Sequence, residues 1–489
     1  MKVSHKTWLL MLGTFALYFF TRSLWLDEWD SVQFADGIRE FNLWDHKPHP
    51  PGYPVYIFAG KLLAALGFDP VSALILVGCL AGAWMVAAWF LIVRREYNEP
   101  LAWLVAVTTA LTPVVWMVAT KALTDIPAAA GLATAVLFGL AFRHSRRTRD
   151  LVFCALACAA TTGLRPQFLG ITAVLLITVM IAARISGRHW AIGVLAFLLG
   201  QCAWLVPTAV SQARLNPEHV DPWAYRNQLL RQWKWRLDKP NVYIGASGFT
   251  REALLKRAKT HVGGWIRNGM GIQHSAERKL WRTLFWIGLV ATLLRNRHGS
   301  FWRVQTPWML LLVATVFCCL PEDRRYYVAL TPMLWLAILP GLWSLPKGWR
   351  FSALLAPLLM LYVGLPLARA GHREPPPPVQ MINYIETLHP AEERSQVWLL
   401  LADARRHGDW YAREFQVSLP RSRSMDEQTL HTARAIYTDA ADFPTNKLYV
   451  GCTLETLATF QRNTAVYPKH SSITLYRVRR PGEVPTLGK

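Results

Sequence analysis

The chain has few acidic residues and few cysteines for its length. Its 489 residues include 31 aspartates and glutamates against 53 lysines and arginines, and only seven cysteines. Six cysteines lie in apolar runs and one, Cys452, lies in the polar C-terminal tail, so no disulfide can form within that tail. No metal-binding cysteine spacing occurs. The chain also lacks G-x-G-x-x-G and Walker motifs, so a nucleotide held by such a loop is not expected.

Long apolar segments make up most of what is present. Hydrophobic residues account for 53% of the chain, and apolar runs of about twenty residues recur, which is the length that crosses a bilayer. We predict an all-α polytopic membrane protein with about 11 transmembrane helices. The predicted spans are 7–25, 71–93, 99–119, 125–142, 150–164, 168–184, 190–209, 281–294, 306–320, 327–345 and 351–368.

Positive charge is concentrated in short loops between these spans. The net charge is +22 at pH 7, and the basic loops all fall on one predicted face. By the positive-inside rule this face is cytoplasmic, which makes the N-terminus cytoplasmic and the tail extracytoplasmic. Because the rule accounts for the charge and no nucleic-acid-binding module is recognisable, no nucleic acid is expected as a partner.

Two domains are predicted, a transmembrane catalytic domain over 1–370 and an extracytoplasmic α/β domain over 371–489. The first has long outer loops at 26–70 and 210–280, and we expect 53–67 to lie as an amphipathic helix in the outer interface. The tail begins with the stiff linker Pro375–Pro378. A helical MINYIETLHP stretch and the strand-like runs VWLLLAD, KLYVGCTL and SITLYRV follow. His389 and Arg405–His407 are expected on its surface.

The outer loop after the first span carries an unusual group of acids. The segment WLDEWDSVQFADGIREF contains Asp27, Glu28 and Asp30, and carboxylates at a membrane edge are costly unless they serve a ligand, a proton or an ion. A carboxylate there could act as the general base that deprotonates an acceptor hydroxyl. Alternatively, Asp30 caps a helix beginning near Ser31, and the other two are simply interfacial acids.

Further polar residues from distant parts of the chain fall on the same predicted face. Their types suit a sugar phosphate donor, because arginines or a divalent cation can stabilise a departing phosphate without a second acid. Simpler interpretations are helix capping for Asp125, pairing with Glu322 and Asp323 for the two adjacent arginines, and a snorkelling Lys61. The residues in question are Asp125, Arg165, Arg324, Arg325 and Lys61.

These motifs resemble integral-membrane glycosyltransferases of the GT-C type, the group that contains protein O-mannosyltransferases and bacterial lipid A aminoarabinose transferases. WDSVQFADGIREF resembles their first outer loop, and HPPGYPVY resembles a bacterial branch in which Asp-Ser-x-Glu precedes His-Pro-Pro-Gly-Tyr-Pro. The alignment puts Asp30 on the catalytic aspartate, although Asp27-Glu28 also resembles the family's Asp-Glu pair, so the choice stays open. Gln33 stands where the branch has glutamate.

The resemblance implies a role for each candidate residue. Asp30, Asp27 or Glu28 would supply the base, and Asp125 would be a second acid or metal ligand. Arg165, Arg324 or Arg325, and Lys61 would hold the donor phosphate. The residues expected to shape the loops are His49, Tyr53 and Tyr327.

The implied activity is inverting transfer of a sugar from a polyprenyl phosphate donor to a hydroxyl on a lipid, polysaccharide or protein acceptor. It would take place at the outer face of the bacterial inner membrane, with Mg²⁺ or Mn²⁺ as an alternative means of stabilising the phosphate. Two other classes stay open, a flippase or transporter of lipid-linked sugars and an oligosaccharide ligase or polymerase. A non-catalytic assembly subunit is a further alternative.

Overall fold

The chain divides into two compact units. One comprises Met1–Ser23 and Phe34–His372, and the other comprises Leu24–Gln33 and Arg373–Lys489. A computed structural model of the chain describes residues 4–215, 250–264, 266, 269–272, 274–294, 299–319, 324–420, 432–442, 451–463, 466 and 471–483. The acidic segment 24–33 therefore groups with the C-terminal residues, which its position in the sequence did not suggest.

The described part of the chain up to His372 is helical. Short connections join most of the helices, and three stretches of 3-10 helix occur at Pro166–Phe168, Arg324–Leu330 and Lys347–Leu354. The α-helices are α1 (His5–Phe20), α2 (Trp29–Arg39), α3 (Pro54–Ala65), α4 (Pro70–Glu96), α5 (Glu99–Leu111), α6 (Pro113–Ala119), α7 (Asp125–Ser145), α8 (Thr148–Leu164), α9 (Leu169–Ala182), α10 (Gly187–Arg214), α11 (Arg251–Gly264), α12 (Ser275–Leu294), α13 (Gly299–Cys319), α14 (Thr331–Trp343) and α15 (Leu355–Arg373).

Each of the eleven predicted spans overlaps a helix. By length and composition alone, the described residues contain five helices able to cross a membrane, or six if the pair α5 and α6, bent by 62°, forms one broken span. Helices α1 and α8, with 16 and 17 residues, are shorter than that criterion requires. The stretch predicted as an interfacial helix is the apolar helix α3, which is too short for the same criterion.

Local sequence signals explain where several helices begin. The Asp69 carboxylate accepts hydrogen bonds from the backbone N–H groups of Val71 and Ser72 at the start of α4, and Asn98 caps α5 by accepting from Leu101. Proline occupies the first turn of α3, α4, α5 and α6, where its missing N–H costs no helical hydrogen bond.

Helices α12 and α14 approach each other through glycines. A Cβ added to Gly341 would lie 2.0 Å from the carbonyl oxygen of Gly288 and 2.6 Å from the backbone nitrogen of Thr292. The Thr292 hydroxyl accepts a hydrogen bond from the Gly341 N–H at 2.9 Å. Since backbone atoms cannot yield as a flexible side chain can, this contact requires glycine at 341.

The C-terminal residues form a mixed sheet with helices. After α16 (Pro377–Leu388) come β1 (Val397–Leu400), α17 (Arg405–Tyr411), β2 (Gln416–Ser418), β3 (Ala435–Thr438), β4 (Thr453–Gln461) and β5 (Ser472–Arg479). The strand order is β2-β1-β3-β5-β4, with β1 parallel to β2 and β3, and β5 antiparallel to β3 and β4. Side chains from α16, β1, β3 and β5 pack into one apolar core.

One alternative interpretation and one prediction about local structure were wrong. Helix α2 begins at Trp29, so Asp30 lies in its first turn and is not the residue that caps it. His389 and His407 are buried, whereas we had predicted them on the tail's surface. Each has a polar partner that makes burial possible. His389 Nε2 lies 2.8 Å from the Tyr437 hydroxyl, and His407 Nε2 lies 3.0 Å from the Leu26 carbonyl oxygen. The pattern of apolar residues around these two histidines did not indicate that they would be buried.

Replacing Gly341 with alanine is expected to destabilise the protein by about 1–3 kcal/mol, since the new methyl group overlaps backbone of α12. Thermal unfolding of the purified protein in detergent measures this. The matched control is Gly13→Ala in α1, where no atom lies within 4 Å of the added Cβ. Equal melting temperatures for the two variants would contradict the close-approach explanation.

Candidate functional site

The centre of the site in the helical unit is a buried ion pair. Arg165, which directly follows the last residue of α8, donates from Nη1 to Asp125 Oδ1 at 2.5 Å and to the Thr124 hydroxyl at 3.3 Å. The side chains of Arg165 and Asp125 are 7% and 3% exposed. Asp125 sits in the first turn of α7, where a negative charge also interacts favourably with the helix dipole. The partner that a buried Arg165 needs is therefore Asp125.

An aromatic residue connects this pair to a second arginine. The Tyr326 ring centroid lies 5.0 Å from the Arg165 Cζ and 5.3 Å from the Arg325 Cζ, within the range of cation–π attraction. Arg325 is itself buried, and its charge acts on Arg165 together with those of nearby groups. Two guanidinium groups thus lie against one aromatic ring, and one of them is paired with the Asp125 carboxylate.

The His-Pro-Pro-Gly-Tyr-Pro turn lies beside the same groups. Gly52 and Tyr53 both adopt left-handed backbone conformations, with φ of +100° and +50°. The Tyr53 hydroxyl lies 3.0 Å from His49 Nε2 and accepts a hydrogen bond from Gln167 Nε2 at 3.1 Å. Gln167 follows Arg165 by two residues, so this hydrogen bond links the turn to the segment that carries Arg165. Two of the predicted loop-shaping residues, His49 and Tyr53, are thus in contact.

The acidic segment 24–33 is described within the second unit. Asp27 Oδ1 accepts a hydrogen bond from Arg462 Nη1 at 2.5 Å, and both side chains are 0% exposed. Glu28 is also buried, whereas Asp30 is partly exposed. The three candidate bases therefore differ in their environments. Asp27 is paired with Arg462, a residue that no sequence motif indicated.

Lys61 lies on α3. It lines an apolar cavity of about 370 Å³ between α3 and α10, together with Phe58, Trp204 and Pro207 among others. An apolar cavity with one lysine in its lining suits an amphipathic molecule with one anionic end. The structure does not link Lys61 to the Arg165 cluster by a hydrogen bond among the described residues.

Tyr327 contacts a histidine of the segment 210–280, which was predicted as an outer loop. Its hydroxyl lies 2.6 Å from Nδ1 of His261 in α11. Arg324 opens the 3-10 helix Arg324–Leu330, but its side chain lies outside the described residues, as do Glu322, Asp323 and Trp233–Trp235. The predicted pairing of Arg324 or Arg325 with Glu322 and Asp323 therefore falls outside the described residues.

Across the described parts of the chain, no three His, Cys, Asp or Glu side chains come together as a site for Mg²⁺ or Mn²⁺ would require. Asp125, predicted as a second acid or metal ligand, directs an oxygen at Arg165.

Part of the chain matches a known protein family. Residues 47–210, about a third of the chain, match the family model of dolichyl-phosphate-mannose-protein mannosyltransferases. That stretch contains the turn with His49 and Tyr53, as well as Lys61, Asp125 and Arg165. No curated protein matches the chain.

Solved structures match over nearly the whole chain. ArnT from Cupriavidus metallidurans, bound to undecaprenyl phosphate, superposes with a TM-score of 0.56 at 11% identity, covering 97% of this chain and 98% of that chain. The apo oligosaccharyltransferase of Archaeoglobus fulgidus gives 0.49 at 10% identity over 88% and 69%, and mycobacterial arabinofuranosyltransferase AftD gives 0.38 at 13% over 99% and 40%.

The resemblance to GT-C glycosyltransferases is confirmed. At 11% identity the likeness to ArnT concerns the fold, which is the GT-C arrangement of a multi-pass helical membrane protein with a small C-terminal sheet domain. The predicted fold class is confirmed with it. Tyr326 and Gln167 are additions that the motifs did not reveal, although Tyr326 stands in the Arg-Arg-Tyr-Tyr segment that the resemblance singled out.

Arg165→Gln and Asp125→Asn should each lower the free energy of unfolding by about 3–5 kcal/mol, because either change leaves one buried charge without its partner. The double variant should lose less than the sum, since it removes both charges. Melting curves of the four proteins give the coupling. Arg149→Gln, at a 61% exposed arginine next to Asp150, is the control and should change little. Additive losses would show that the pair is not coupled.

Stability should also depend on pH through His261. Burial, reinforced by the positive charge of Arg257, lowers the pKa of His261 from 6.5 to about 4. In the unfolded chain His261 binds a proton near pH 6.5, whereas in the folded chain it does so only near pH 4. This contribution to stability is therefore fully present above pH 6.5 and is lost as the pH falls toward 4. Melting temperatures between pH 7.5 and 4.5 should fall less steeply for His261→Gln than for wild type.

Proposed function

We propose that the protein transfers a sugar from a polyprenyl phosphate donor to a hydroxyl acceptor at the extracytoplasmic face of a bacterial inner membrane. The main support for the proposal is that several residues of the matched family region lie in one structural cluster. The turn at His49–Tyr53, Asp125 and Arg165 all fall within residues 47–210. In the folded chain Tyr53 accepts a hydrogen bond from Gln167, two residues after Arg165, and Arg165 pairs with Asp125. ArnT, whose fold the chain shares, was solved with undecaprenyl phosphate.

The arginine cluster supplies the electrostatics for a phosphate leaving group. Arg165 and Arg325 are both buried, and the Tyr326 ring lies within cation–π range of each, in surroundings from which most water is excluded. Charge–charge attraction is stronger there than in water, so a departing phosphate monoester would be stabilised without being protonated. Asp125 then orients Arg165 through their hydrogen bond, and Lys61 offers a further cation beside an apolar groove that suits a lipid.

The proposed reaction is a single displacement at the anomeric carbon. The acceptor oxygen forms the new bond to that carbon while the bond to the donor phosphate oxygen breaks, and the configuration inverts. The acceptor proton passes to a carboxylate that acts as general base. Polyprenyl phosphate leaves as the second product, and no step passes through a metal.

Asp30 is the carboxylate we propose as the base. Asp27 is fully buried and bound to Arg462, and an arginine partner makes a carboxylate a weaker base. Asp30 lies in the first turn of α2 and is partly exposed, so an acceptor hydroxyl could reach it. Glu28 is 5% exposed and is the less accessible alternative.

Release of free polyprenyl phosphate tests the function directly. Purified protein in detergent would be incubated with a polyprenyl-phosphate-sugar pool extracted from the host. Asp30→Asn should reduce release by about 10²–10⁴-fold, the usual contribution of a general base. The matched control is Asp45→Asn, an exposed aspartate in the same outer loop, which should retain wild-type release.

The outcomes separate the competing functions. Loss in Asp30→Asn together with normal release by Asp45→Asn supports the transferase and names the base. Binding of the lipid pool by wild type, without any release, would favour a flippase or assembly subunit. Release from a pyrophosphate-linked donor pool, but not from a monophosphate pool, would favour an oligosaccharide ligase or polymerase.

A further inference from the structure

The C-terminal unit contains a set of side chains that binds the acidic segment 24–33. Three residues far along the chain contact two consecutive residues of that segment. Arg462 pairs with Asp27 at 2.5 Å, the Leu26 N–H donates to the Tyr411 hydroxyl at 2.9 Å, and His407 Nε2 lies 3.0 Å from the Leu26 carbonyl oxygen. Leu26 and Asp27 are both 0% exposed.

These contacts fix both the backbone and a side chain of the segment. Tyr411 and His407 occupy the N–H and the carbonyl of one residue, so that residue can neither rotate nor pair elsewhere without breaking two hydrogen bonds. Their rings stack with centroids 6.4 Å apart at 9°, which orients one against the other. Arg462 then holds the next side chain in a site closed to water, where a charge pair cannot exchange its partner for solvent.

The held residues lie directly before the proposed base. Asp30 follows Asp27 by three positions and lies in the first turn of α2, and the Val32 N–H donates to the Glu28 carbonyl in that same turn. A displacement of Asp27 would therefore shift the start of α2 and the Asp30 carboxylate with it. Misplacing a base by about 1 Å can lower a rate by roughly 10²-fold.

We propose that Arg462 is a positioning residue for the acidic segment, and that the C-terminal unit serves transfer by holding Asp30 in place through Asp27, Tyr411 and His407. The proposal rests on the proposed function for its catalytic part. It assigns Asp27 a structural role as the anchor for Arg462. It also predicts that the C-terminal unit is required for the chemical step, whatever acceptor the enzyme uses.

The test measures the local stability of segment 24–33 and the rate of the reaction separately, on the full-length protein in detergent. Hydrogen exchange followed by mass spectrometry reports on peptides covering 24–33, and release of polyprenyl phosphate from the extracted donor pool reports on turnover. The variants are Arg462→Met, Asp27→Asn and the double variant. The matched control is Arg434→Met, which removes a 51% exposed arginine that pairs with Glu393 in the same unit.

Arg462→Met and Asp27→Asn should each speed exchange in 24–33 by about tenfold or more. Each should also lower kcat per folded molecule by about 10–100-fold, with little change in the apparent KM for the donor pool, since a mispositioned base still allows donor binding. The double variant should be no worse than the single variants, because both act on one contact. Arg434→Met should match wild type in both measurements.

Unchanged exchange in 24–33 for Arg462→Met would overturn the proposal. Faster exchange with normal kcat per folded molecule would overturn the catalytic part and leave a purely structural contact. If wild type releases no polyprenyl phosphate, the proposed function is wrong, while the exchange data still decide whether Arg462 holds the segment.

Discussion

Pairing of charges away from water is the constraint on which the rest of this structure depends. An ionised side chain within an apolar helical protein is stable only beside an opposite charge and hydrogen-bond partners. Arg165 and Asp125 satisfy this in the helical unit, and Arg462 and Asp27 satisfy it in the other. Each pair joins residues that are distant in sequence, 40 and 435 positions apart. Since breaking such a pair costs far more than breaking an exposed one, each fixes the positions of its neighbours.

The cluster around Arg165 holds its charged groups in fixed positions. The Asp125 carboxylate orients Arg165, and the Tyr326 ring adds attraction to both guanidinium groups. In the transfer that we propose, these groups would already be in place when the phosphate departs, so no reorganisation would be needed. The Tyr53 hydroxyl, held by His49 and Gln167, is a neutral donor and acceptor at the edge of the same cluster.

Features with a regular period were predictable from the sequence, whereas long-range partners were not. Apolar runs located the helices because hydrophobic length is a local property, and the motifs around Asp30 and His49 were enough to indicate the GT-C type. The grouping of 24–33 with the C-terminal unit could not be read locally, since Arg462 directly follows β4 with no motif around it. The burial of His407 was missed for the same reason, because its partner is a backbone carbonyl 381 residues away.

The pairing of Asp27 with Arg462 has a consequence for biosynthesis. The ribosome adds about 5–20 residues per second, so the 435 residues that separate the partners take roughly 20–90 s to make. During that interval the acidic segment has already been synthesised, but Arg462, which pairs with Asp27, has not. Until residue 462 has been synthesised, Asp27 cannot form this ion pair. A nascent chain stopped before residue 462 therefore cannot complete the packing of the acidic segment.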